Sequence, residues 1–115
     1  MYLPKHDVYT ALSSITDVTV QQGSQKTITD IPAITFFVSD NSADLDLGNE
    51  IVNQNIEVTV DVWASNSSSA DTLLSQIETK MRTLGYRLSY CTDVPDPNNI
   101  CHINTRFTGL ITKGN

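Results

Sequence analysis

The chain has 115 residues, 39% of them apolar and 17% charged, with a net charge of -6. That is the composition of one folded domain, 1–115, rather than a disordered tail or a collagen-like repeat. No apolar run reaches the roughly 18 residues a membrane helix needs, and Met1–Asp7 does not read as a signal peptide.

Two cysteines, Cys91 and Cys101, are too few for a disulfide scaffold and read as free thiols made in a reducing cytoplasm. The charge is unevenly placed. Between Lys26 and Lys80 there is no Lys or Arg, but there are nine acids, whereas the remainder carries seven bases against four acids. An acidic middle repels phosphates and argues against tight DNA binding. Opposite signs on one chain suit like subunits that meet head to tail.

Val8, Ala11, Leu12 and Ile15 fall at i, i+3, i+4 and i+7 behind Pro4, which predicts a helix over 5–15. Val18–Val20 reads as a short strand and Gln22-Gly23-Ser24 as a turn. Pro32 opens a second strand in which Ile34, Phe36 and Val38 face one way and Ala33, Thr35 and Phe37 the other. Residues 39–50 are dense in Ser, Asp and Asn and read as a long acidic loop. In 55–64, Ile56, Val58, Val60, Val62 and Ala64 alternate with Asn55, Glu57, Thr59, Asp61 and Trp63, a half-buried strand.

A second helix follows. Its stripe is Ala70, Leu73, Leu74, Ile77, Met81 and Leu84; Ser68 and Asp71 have capping-box spacing and Gly85 ends it. Burial of Leu74 and Ile77 would make truncation of either cost about 2–5 kcal/mol. Tyr86, Leu88 and Tyr90 alternate in a fourth strand, residues 93–99 turn, and Ile103, Thr105, Phe107, Gly109 and Ile111 alternate in a fifth. Cys91 and Cys101 then fall on opposite sides of the sheet. The order α-β-β-β-α-β-β predicts an α+β fold: a mainly antiparallel sheet of about five strands with both helices on one face.

No set of acids, bases and nucleophiles assembles, so the reading is not an enzyme. Cys101-His102 beside Cys91 lacks the paired spacing of a zinc site, and neighbouring strand residues point to opposite faces. Asp40, Ser42, Asp44 and Asp46 imitate a calcium loop, but Leu45 stands where Gly is required and Ile51 where the bidentate Glu belongs. No cofactor or metal is expected. Phe37 and Trp63 lie on the polar side of their strands and need cover from a loop, a terminus or another subunit. Glu57, Asp61 and Arg106 share that side and would pair across strands or across a subunit interface.

The N-terminal helix with Val8-Tyr9-Thr10-Ala11-Leu12, then Pro32-Ala33-Ile34-Thr35-Phe36, then Asn55–Ala64 with its Ser-rich cap, then Met81–Arg87 and finally His102–Phe107, form a familiar sequence. In order and spacing the chain resembles the tail-terminator family of long-tailed bacteriophages, also called tail-completion or tail-to-head joining proteins. The resemblance covers about residues 6–112 and carries no catalytic motif. It implies a homo-oligomeric ring, a hexamer, in the virion neck. Such a ring caps the tail tube, docks to a head-completion or connector protein and lets DNA pass without tight binding. Asp40, Asp44, Asp46 and Glu50 are the expected lumen or tail-tube contacts; Phe37, Trp63, Glu57, Asp61 and Arg106 are the expected subunit contacts. The other readings are another neck or tail-tube ring component, or a small adaptor that binds a host protein through a sheet edge.

Overall fold

The computed structural model describes residues 1–23 and 30–112. It is an α+β fold in the expected order: α1 (Lys5–Ser13), β1 (Thr19–Gln22), β2 (Ala33–Leu45), β3 (Ile51–Ala64), α2 (Ser67–Thr83), β4 (Arg87–Val94) and β5 (Cys101–Thr112). The five strands form one sheet, in the order β1-β2-β3-β5-β4. β1 runs parallel to β2, and the other neighbours are antiparallel.

Both helices pack on one sheet face. Val8 and Leu12 of α1 and Ala70, Leu73, Ile77 and Met81 of α2 meet Ile34, Phe36, Val58, Val60, Val62, Ile103 and Phe107 in one core. Their spacings are the 3.6 and 2.0 periods read in the sequence. At α2 the cap is Asn66 rather than Ser68: its Oδ1 accepts from the Ser69 N–H at 2.8 Å. Replacing Ser68 as the expected cap, Asn66 supplies what an N-cap supplies, an acceptor for an orphan donor of the first turn.

Tyr86 is 1% exposed. Its ring lies where a side chain on Gly109 would stand, with Cδ1 only 2.8 Å from an added Cβ. Gly109 is thus the gap in β5 that admits a core aromatic.

The expected loop over 39–50 is a correction. β2 continues to Leu45, β3 begins at Ile51, and Ser42, Ala43 and Asp44 pair with Asn55, Gln54 and Asn53. Only 46–50 turn: the Asp46 Oδ1 accepts from the N–H groups of Gly48 and Glu50, at 2.8 and 2.9 Å. Strand formation there rests on backbone pairing, which polar side chains on exposed faces do not oppose. The result is a hairpin arm that extends the sheet. β3, at 14 residues, spans about 46 Å of a molecule measuring 53 × 24 × 20 Å. The radius of gyration, 15.3 Å, exceeds the roughly 13 Å of a compact chain of this length.

The N-terminus clasps the arm to the body. Gln54 is buried and accepts from the Tyr2 N–H at 2.8 Å, while its Nε2 donates to the Tyr2 carbonyl and to Asn41 Oδ1, both at 2.9 Å. Tyr2 Oη donates to Asp7 Oδ2 at 2.7 Å.

Other boundaries shift slightly. α1 ends at Ser13, with Pro4 as its cap residue, and Gln22 belongs to β1. Ser24 of the expected turn lies outside the described residues. β4 runs on to Val94, so the 93–99 turn starts later.

Ile77 is fully buried and Leu74 only partly so. Ile77→Ala should therefore lower unfolding free energy by about 2–5 kcal/mol, and Leu74→Ala by clearly less, in urea denaturation.

Candidate functional site

The sheet face away from the helices is the candidate site, because it carries most of the residues expected at contacts. Strand register arranges them in rows across the sheet. One row is Ala33, Trp63, His102 and Val94; the next is Thr35, Asp61, Asn104 and Thr92; the third is Phe37, Thr59, Arg106 and Tyr90. Towards the arm, Asp40, Glu57, Thr108 and Arg87 form a fourth.

The first two rows interlock. Trp63 stacks on the His102 ring, with centroids 4.3 Å apart and planes at 17°, and is only 6% exposed. Trp63, expected to need cover from a loop, a terminus or another subunit, is stacked against a neighbour in its own sheet, His102. His102 Nε2 lies 2.9 Å from Asp61 Oδ1, and Asn104 Nδ2 donates to that same oxygen at 2.9 Å. Asp61 and Trp63 are therefore engaged with neighbours within the chain. Opposite Asp61, the Thr35 Oγ1 is buried and has no hydrogen-bond partner among the described residues.

Within the chain Arg106 does not pair with Glu57 or Asp61 across strands, one of the two pairings expected of it. Its guanidinium lies over the Tyr90 ring, 4.9 Å from the centroid, a cation–π contact. This follows from a register shift between Leu88 and Tyr90. The bulge turns Tyr90 to the open face, and the Ser89 hydroxyl donates to the Arg106 carbonyl at 3.0 Å. Glu57 Oε1 accepts from the Ser39 hydroxyl at 2.7 Å, at a second bulge. Phe37 remains half-buried.

The same shift corrects the reading of the thiols. Cys91 pairs with Thr105 and Cys101 with Ala64, so both lie on the helix side. Four residues of β5 separate those levels, about 13 Å, and both thiols are free. Partial burial of the Cys91 sulfur, with the Asp93 and Asp71 carboxylates nearby, raises its pKa and disfavours the thiolate.

The four arm acids, Asp40, Asp44, Asp46 and Glu50, are all exposed. Asp40 and Asp44 lie along β2, and Asp46 and Glu50 flank the hairpin end, where Leu47 is fully exposed. Among the described residues, no three His, Cys, Asp or Glu side chains gather as a metal site would require. No helix is long and apolar enough to cross a membrane.

His102, Asn104, Tyr90 and Arg87 were not among the expected contact residues. Alternation in β5 places His102 and Asn104 beside Arg106, but Tyr90 depends on the bulge at Ser89, which has no sequence signal. No family model and no curated protein matches the chain.

Two outcomes test this arrangement. Thr35→Val removes a buried hydroxyl without a partner while keeping the shape, so the melting temperature should stay level or rise by an amount equivalent to about 1 kcal/mol. The Tyr2 phenol is raised by partial burial, by its hydrogen bond to the Asp7 carboxylate and by the neighbouring Tyr86. A raised folded pKa means that the unfolded chain ionises first. The contribution of Tyr2 to stability is therefore complete below its unfolded value of 10.0 and is lost as pH rises above it. Tyr2→Phe should flatten the alkaline fall in stability, measured by urea unfolding from pH 9 to 11, with Tyr86 and the Cys91 thiol, both also raised, contributing to what remains.

Proposed function

We propose that this chain is a structural, non-enzymatic assembly protein. It is a tail terminator or head–tail joining protein of a long-tailed bacteriophage, forming a homo-oligomeric ring that caps the tail tube and docks to the head connector. The observation that carries this reading is the division of an α+β domain into a helix-backed body and a projecting acidic arm. Element order and spacing are those for which the sequence resembles the tail-terminator family. The body supplies a rigid segment of a ring wall. The arm supplies a negatively charged projection that would repel DNA in transit rather than hold it. Asp46 and Glu50 flank the end of the arm, which supports the reading of them as lumen or tube contacts, while Asp40 and Asp44 lie back along the strand.

A host-binding adaptor is the second reading, favoured by the outer edges of β4 and of residues 38–45, with which no strand pairs among the described residues. Disabling the gene in the phage that carries it separates the two. Electron microscopy of the lysate should show filled heads beside unjoined or overlong tails. Normal joined virions would contradict the terminator role and favour the adaptor.

A further inference from the structure

The sheet has two open edges, and on the face away from the helices their charges are opposite, the one acid of β4, Asp93, lying level with Ile103 on the helix side. At one side, β1 pairs with β2 only at residues 33–36, and among the described residues no strand pairs with the outer edge of 38–45. At the other side, nothing among the described residues pairs with the outer edge of β4. On the open face, Asp40 and Asp44 stand on the β2 edge, whereas Arg87 stands on β4 and Arg106 beside it, over Tyr90. None of these four charged residues makes an ion pair among the described residues. Unpaired edges invite another strand, and natural sheets guard against the wrong one by charge.

We propose that residues 38–45 of one copy pair, antiparallel, with β4 of a second copy, so that Asp40 and Asp44 face the partner's Arg87–Arg106 side. This deepens the ring reading and rests on it for closure. β4 has eight residues, matching the eight of 38–45. β4 runs opposite to β2 within the subunit, so preserving strand direction from copy to copy makes the new pair antiparallel.

The stagger is informative. Val94 lies at the level of Ala33, through His102 and Trp63. Pairing it instead with the start of the arm shifts each copy by roughly five residues along the strands, over five strands. A fixed shift of this kind gives the strand tilt that lets a sheet close. A heterologous contact of this kind also uses different patches on its two sides, as head-to-tail rings require.

Charge exchange tests the pairing. Asp40→Lys with Asp44→Lys, and separately Arg87→Glu with Arg106→Glu, should each reduce self-association at least tenfold in sedimentation velocity at 50 mM salt. All four changes in one chain should restore it, because the signs again match across the interface. Circular dichroism checks that every variant folds. If the native chain associates and neither double variant weakens it, the edge pairing is wrong while the ring reading stands. If both weaken it and the fourfold variant does not recover, the two patches do not face each other and the proposal fails. A native chain that stays monomeric at all concentrations also overturns it, leaving the ring reading to the lysate experiment above.

Discussion

The backbone of β3 is the constraint on which the rest depends. It runs almost the length of the molecule and is hydrogen-bonded on both sides, to β2 from Ile51 to Trp63 and to β5 from Asn53 to Ala64. A strand so long cannot keep one character throughout. Over its second half, Val58, Val60 and Val62 lie under the helices and are fully buried, and Trp63 and Thr59 are buried on the other face. In its first half Ile56 still joins the core, but Asn53, Gln54, Asn55 and Glu57 are polar. Hydrophobic burial secures the body at roughly 25 cal/mol per Å² of apolar surface. The arm is held by ladder bonds and by the clasp of Tyr2 on Gln54.

This division explains what was legible in the sequence. Where apolar residues alternate or recur every three to four positions, the elements were readable: α1, α2, the inner half of β2, β3 from Asn55 onward, and β5. The number of strands, the order and the placing of both helices on one face follow from those faces needing cover. The arm was not legible. Ser39–Leu45 has the composition of a loop, and its strand state depends on partners in β3 that no local pattern reveals. The bulge at Ser89 was hidden for a similar reason: one unpaired residue reverses the sides of Tyr90 and Cys91 without changing the alternation that was read.

The candidate face was legible in part. Phe37, Trp63, Glu57, Asp61 and Arg106 do share the side away from the helices, since that follows from period-two alternation alone. Their partners did not follow. Trp63 and Asp61 are taken up by His102 and Asn104, and Arg106 by Tyr90. Of the charges on this face, Asp40 and Asp44 stand at one margin of the sheet and Arg87 at the other, with Arg106 one strand in, which directs attention from the middle of the face to its edges. On the proposed ring reading, the helix-backed core would form the wall and the charged margins would meet from copy to copy.

The most direct test of that account is electron microscopy of the purified chain, alone at rising concentration and mixed with tail tubes. The account predicts closed rings of uniform rotational symmetry, free or seated on tube ends. Separate monomers in both preparations, with bare tube ends, would contradict it.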